Sequence, residues 1–516
     1  MKLGINCLLL FSILALISGC SKPEEFSGTH VFTTSRNSDV HLRERDDPFA
    51  IHNIIKAYEN LRAGDPSVPV LHIAPNNLYL RFLPENESEL ELLRNDTTLT
   101  LYDYPLNADI SEGEFSGASA QNSLPYQYCV VPEGKQLPPV KYELIYEVFI
   151  PPYRDYEAKS MPGEMTDFYE KLVSESARIT GNLSVDDSVY ITTRSSSGRW
   201  KPKGRIRVWD DVLGMYIPLN HVNVHARWFT RVETALTDSD GYFSMKSFSH
   251  KVNYSIKWEN SLFDIRDGLL MQAWYNGPKK KGDWMLDIRN GKSKMFATIH
   301  RAAYRQFYGN NLGLFRPRLC SGKRTKISYM DGKGTGQFNG SLITGGLIPQ
   351  IQIWGDNATT ETNIIFASVS HELGHQLHSE YIGNLKYMKV SRIIRESWAE
   401  AVEWAITNDE YHTLGKKYGV FAAIRYDHQN DKHNGWPLVS DREYSPAFID
   451  LADSINQGSL FGPDHPNDLI SQYSVSYMNY NLLGSTTDIS SLKQEVTVHK
   501  LDGVDDYKIS QLFLLY

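Results

Sequence analysis

Ser370-His371-Glu372-Leu373-Gly374-His375-Gln376 sets two histidines four residues apart with a glutamate directly after the first. On a helix, positions i and i+4 share a face, so His371 and His375 can present two imidazole nitrogens to one metal ion. Glu372, one residue on, can then reach a water held by that ion. The flanking sequence predicts the helix this requires. From Thr359 to Ser379 the apolar residues Ile364, Ile365, Ala367, Val369, Leu373 and Leu377 recur with few turn signals. The competing reading is a helix whose histidines are ordinary core or surface residues.

A catalytic zinc takes three protein ligands and leaves a fourth position for water, so the two histidines need a partner. One known pattern continues with glycine three residues after the second histidine and histidine three further on, but those positions hold His378 and Tyr381. The other pattern draws a glutamate from a second helix some twenty residues downstream. The stretch from Ile393 to Trp404, Ile-Ile-Arg-Glu-Ser-Trp-Ala-Glu-Ala-Val-Glu-Trp, reads as such a helix. Glu396 is the candidate third ligand. Glu400 and Glu403 follow at i+4 and i+7 on the same face, and one of them can accept the other ring N–H of a ligating histidine. Glu400 is the residue expected there. The opposing reading makes these carboxylates a solvated helix face. His378, at i+7 from His371, is expected to be a neighbour of the metal rather than a ligand.

These residues resemble the ligand helices of gluzincin metallopeptidases, the thermolysin-like and aminopeptidase-like group. The similarity extends in organisation over Met285 to Gln472 and is specific only at the two helices. It implies a bound Zn²⁺, with Glu372 as general base towards a zinc-activated water. It also implies an oxyanion donor on a downstream loop. Tyr381, Tyr387, Tyr426, His433, Tyr444 and His465 are candidates, and Tyr444 is selected because it follows a loop and opens an apparent helix. Upstream, Leu347 to Gly355 alternates apolar and polar residues as a strand, and Pro349 suits an edge position. In such a fold an edge strand holds substrate backbone by β-augmentation. An ordinary core strand is the alternative.

At the amino terminus an apolar run from Leu8 to Ile17 is too short to span a bilayer and reads as a signal-peptide core. Its ending, Ile17-Ser18-Gly19-Cys20, resembles the bacterial lipobox, which implies a lipidated Cys20 and placement at the bacterial outer membrane or cell surface. An ordinary secretory signal is the alternative. Ser21-Lys22-Pro23-Glu24-Glu25 is similar to the export tag of surface lipoproteins, though Pro23 interrupts it. Cys129 and Cys320 then remain, expected as two thiols in different domains rather than one disulfide. The net charge of -8 and the lack of a long basic stretch argue against nucleic acid as a partner. Lys279-Lys280-Lys281, after Asn276-Gly277-Pro278, reads as a solvated turn.

A chain of 516 residues with 41% hydrophobic content can bury several cores. The expected order is an α+β multidomain one: signal peptide 1–19, tether 20–45, α+β domain 46–155, β-sandwich 190–262 and zincin-like α+β catalytic domain 285–516. Within 46–155 the sequence predicts a helix near Ile51 to Leu61 and strands at Asn77–Phe82 and Tyr142–Ile150, and a connecting helix follows at Met165–Ile179. The strands Gly204–Trp209 and Val222–Arg227, followed by Thr237-Asp238-Ser239-Asp240-Gly241-Tyr242-Phe243, resemble the carboxypeptidase regulatory-like, transthyretin-like sandwich. That resemblance implies a spacer or binding module. A Ca²⁺ loop at Asp238 and Asp240 lacks further ligands. Asp331-Gly332-Lys333-Gly334-Thr335-Gly336 lacks the ending of a phosphate loop and reads as a mobile loop that could border the catalytic cleft. The tail from Asn481 carries no functional signal.

The expected function is a surface-anchored zinc metallopeptidase cutting extracellular proteins or peptides internally, glycoproteins among them. The alternative is a surface adhesin or substrate-binding lipoprotein with a silent zincin fold. Such a protein has no need of Glu372, which favours the enzyme.

Overall fold

The computed structural model describes residues 44–114, 124–152, 163–183, 199–317, 324–334, 336–339, 349–428 and 444–516. The architecture is mixed α+β, and the chain forms two compact units. One lies within Thr29–Val208 and Pro218–Ile288, the other within Trp209–Ile217 and Arg289–Tyr516. Cys20, Cys320 and His433 fall outside the described residues.

In the first unit the antiparallel strands Gln127–Pro132, Asn77–Phe82 and Tyr142–Val148 form a sheet in that order. Leu80, Phe82, Leu93, Leu101, Cys129 and Val131 make its core. Cys129 is a buried free thiol, and burial raises its pKa to about 12, so it behaves as a small apolar side chain. Helix Ile51–Gly64 packs on helix Gly163–Ile179.

The strand-rich part of this unit runs to Ile288, beyond the expected limit at 262. One sheet orders Gly113–Glu114, Trp274–Lys280, Val252–Lys257, Asn223–Trp228 and Arg231–Leu236, all antiparallel. A two-residue strand from the expected 46–155 domain therefore pairs with one 160 residues away, which no local pattern reveals. The other sheet pairs Trp284–Ile288 in parallel with Lys203–Asp210, over Gly204 to Val208, and Tyr242–Ser244 antiparallel to its start. Phe243, Tyr254 and Trp284 pack ring to ring. The Asp238 carboxylate accepts the N–H groups of Asp240 and Tyr242, both at 2.9 Å, so it serves the turn. Lys279 and Lys280 are not in a turn. They end the strand Trp274–Lys280, whose register shifts opposite Asn253 and Ser255, where Gly277 and Pro278 sit.

The second unit is built on helices Gly291–Phe307, Thr362–Ile382 and Arg392–Tyr418 with a small sheet. Thr362–Ile382 is buried on nearly every face, from Thr362 to Ser379, as expected of a helix at the centre of a domain. Gly374 permits its closest crossing. A Cβ there would stand 3.1 Å from Ala399 Cα and 3.2 Å from Val402 Cβ, so any side chain would push the two long helices apart. A buried ionic group ties the third helix to the first. Arg301 meets Asp210 at 2.7 Å and Glu410 at 3.4 Å, Tyr411 donates to Asp210 at 3.0 Å, and Arg305 meets Glu410 at 3.0 Å.

Strand Ile351–Gly355 is not an edge strand. It lies between Thr325–Asp331, which is parallel to it, and Gly336–Phe338, which is antiparallel. The outer position in this part of the sheet belongs to Gly336–Phe338, the end of the glycine-rich stretch. Three residues with two small or polar members show no alternation, so this strand exists only through its pairing.

Candidate metal centre

The two long helices bring His371, His375 and Glu396 together. His371 Nε2 lies 3.5 Å and His375 Nε2 3.2 Å from the same oxygen, Glu396 Oε2, and the imidazole planes are 82° apart. Ligands on a tetrahedral ion with bonds near 2.1 Å stand about 3.4 Å from one another. The other carboxylate oxygen, Glu396 Oε1, faces Arg392 at 3.8 Å.

The proton positions point the same way. Glu403 Oε2 lies 3.0 Å from His371 Nδ1, and Glu403 Oε1 lies 2.7 Å from His428 Nε2. Burial raises the pKa of Glu403, but hydrogen bonds from the two histidines outweigh it and hold the carboxyl well below the usual range. An ionised Glu403 can only accept, so His371 donates its Nδ1–H to it, and the other ring nitrogen, Nε2, faces Glu396. For Glu396 the same balance holds: burial raises its pKa, and His375 and His371 draw it far down. Two imidazole nitrogens and a carboxylate oxygen thus converge within 4.8 Å of one another, which is the donor set of a metal ion. His375 Nδ1 in turn lies 3.1 Å from Tyr387 Oη, and its ring stacks on Phe338 at 6.2 Å.

The partner of His371 is therefore Glu403, with Glu400 farther off at 3.9 Å. Burial and the adjacent Glu403 charge raise the Glu400 pKa to about 8, and as an acid it hydrogen-bonds Glu403. His371, Glu400 and Glu403 also form a group close enough to hold an ion. Glu403 is already committed to two imidazoles there, so the set is better described as the support of His371.

Glu372 is 1% exposed, and its Oε2 has no hydrogen-bond partner among the described residues. Burial raises its pKa to about 8, with Glu396 and Glu403 adding to the rise and His371 opposing it. Strand Gly336–Phe338 runs directly over it. A Cβ on Gly336 would stand 2.5 Å from Glu372 Oε1, so any side chain there would force this carboxylate to move. The glycine-rich stretch does border the centre.

Of the expected oxyanion donors, Tyr387 is occupied with His375, Tyr381 donates to the Tyr480 carbonyl at 3.2 Å, and Tyr426 meets His428 and Asn363. Tyr444 is buried on the Glu400 side. Burial and the Glu400 charge raise its pKa well above the usual value, so it keeps its proton. Its neighbour Ser445 is fixed to the glutamate-bearing helix by an N–H bond of 2.8 Å to Ser397 Oγ. His465 packs on Phe461. His378 is fully buried, with neither ring nitrogen hydrogen-bonded among the described residues, and burial lowers its pKa to about 3. It sits edge-on to Tyr387 and belongs to no ligand set.

His428 and Gly336 carry roles the sequence does not single out, Tyr387 orients His375 rather than standing free as the oxyanion donor it was named for, and Glu403 takes the place expected of Glu400. Glu403 leaves a signal, its i+7 spacing from Glu396. No family model matches the chain, and comparison with curated proteins finds no relative. Among the described residues no helix is long and apolar enough to cross a membrane.

Proposed function

We propose that the chain is a zinc-dependent metallopeptidase, hydrolysing peptide bonds of extracellular proteins from a lipid anchor on Cys20. The observation that carries this reading is the convergence of His371, His375 and Glu396 beside a buried Glu372 whose Oε2 has no hydrogen-bond partner among the described residues. A binding protein would gain nothing from that last group. His371, His375 and Glu396 would hold the ion, which when bound supplies an acidified water and polarises a carbonyl. Glu372 takes a proton from the attacking water and passes it to the leaving amine. Glu403 and Tyr387 fix the ring orientations of the two histidines. Strand Gly336–Phe338 has no partner on its outer side among the described residues, and an extended substrate chain can pair there. The expected edge role passes from Ile351–Trp354 to this strand.

A mixture of free peptides and peptides blocked at both ends, incubated with the zinc-loaded chain and with Glu372→Gln, tests the reading by mass spectrometry of the products. Internal cleavage by the first and none by the second is expected. Release of single terminal residues, with blocked peptides left intact, overturns internal cleavage. A fully zinc-loaded chain that cuts nothing favours the silent binding protein.

A further inference from the structure

Helices Ala447–Ala452 and Gln457–Phe461 fold against the segment 466–473. Gly458 N–H donates to the Pro466 carbonyl at 2.7 Å and Asn456 Nδ2 to Asn467 Oδ1 at 2.9 Å. The N–H groups of Gln472 and Tyr473 reach the carbonyls of Ala452 and Leu451 at 3.2 and 3.0 Å. These bonds bring Asp450, Gln457 and Asp468 into one buried patch, where their exposures are 0%, 1% and 5%. Gln457 Nε2 donates to Asp450 Oδ1, and the Ile470 N–H donates to Asp468 Oδ1 at 2.9 Å. Three oxygens are left over. Asp450 Oδ2, Asp468 Oδ2 and Gln457 Oε1 are buried without a hydrogen-bond partner among the described residues.

Charge sharpens the problem. Burial, then the like charges of Asp468 and Asp453, push Asp450 far above the carboxylate range, and burial raises Asp468 to about 8. No cationic side chain is among the groups acting on either. Buried carboxylates are tolerated when they are protonated, paired or ligating a metal. The amide oxygen of Gln457 argues for the third option, because its own Nε2 already serves Asp450 and a shared proton would leave Oε1 unsatisfied.

We infer that Asp450, Gln457 and Asp468 form a second cation site, separate from the histidine centre and suited to calcium. The donors are all oxygens, two carboxylates and an amide carbonyl. That set selects a hard cation over zinc. The site would brace the end of the catalytic unit rather than take part in bond cleavage, and it stands whether or not the chain is a peptidase.

Calorimetric titration and thermal melting of the full chain, stripped with a calcium chelator and resupplied with zinc, provide the test. Calcium should bind one to one and raise the melting midpoint on the order of 5 °C at saturation. Asp450→Asn and Asp468→Asn should each lose this response, Gln457→Glu should tighten binding, and His371→Ala should retain it. No calcium-dependent change in the wild-type chain overturns the inference, as does a response that both asparagine variants keep. If the carboxyls share a proton instead, Asp450→Asn will be as stable as wild type or more so, with no cation effect, and the inference also fails.

Discussion

Removing Glu403 should loosen the metal without touching a ligand. Its two oxygens serve His371 at 3.0 Å and His428 at 2.7 Å, both as a charged acceptor. Glu403→Ala deletes both bonds and frees the His371 ring to rotate and change tautomer. A hydrogen bond to a charged group is worth about 1.5–3 kcal/mol, which corresponds to roughly a 10–100-fold loss of metal affinity. Alanine should reach the upper end of that range. Glu403→Gln should fall near the lower end, because an amide oxygen can still accept from His371 Nδ1 while its NH₂ donates to His428, whose other nitrogen then donates to Tyr426 Oη, 3.2 Å away. Competition against a chromogenic chelator at fixed pH measures the affinity directly. Wild-type affinity in Glu403→Ala, together with an empty site in Glu400→Ala, would refute the assignment.

Gly336→Ala should keep the metal and lose about 100-fold in kcat, since the new methyl must displace the Glu372 carboxylate by an ångström or more; wild-type kcat would show that the strand does not confine the base. Asp210→Ala leaves Arg301 buried without its closest partner and should cost about 3–5 kcal/mol, read as a lower urea midpoint. His225 is 1% exposed, bonded to Tyr102 at 2.7 Å, and lowered to about 3 by burial. Between its unfolded value of 6.5 and about 3 the unfolded chain binds the extra proton, so stability present above pH 6.5 falls with acidification by up to about 1.4 kcal/mol per pH unit. His225→Gln should flatten that slope, and an unchanged acid profile would count against a buried neutral imidazole. Cys20→Ala should move the protein to the soluble fraction, and retention through a carbonate wash would rule the anchor out.

The helix carrying His371 and His375 was legible because its signal is periodic: four residues return to one helix face, and Glu396 stands in the first turns of a second helix at a recognisable distance. The choice between Glu400 and Glu403 was not. Both share a face with Glu396, and the crossing of the two helices at Gly374 decides which carboxylate meets His371. Sequence spacing is blind to that rotation. The same holds for His428, 25 residues beyond Glu403, and for Tyr387, which are brought in by tertiary packing alone. Strand Gly336–Phe338 reads as loop because its glycine answers to Glu372 below it rather than to strand propensity. The strand Ile351–Gly355 has the alternation of a half-exposed strand, yet a partner too short to be predicted covers its edge.

Elemental analysis of the purified chain and its single variants tests the central claim most directly. One zinc per chain is expected in the wild type and in Glu372→Gln, and none in His371→Ala, His375→Ala or Glu396→Ala. A wild-type chain without zinc, or a Glu396→Ala variant that keeps it in full, would contradict the account.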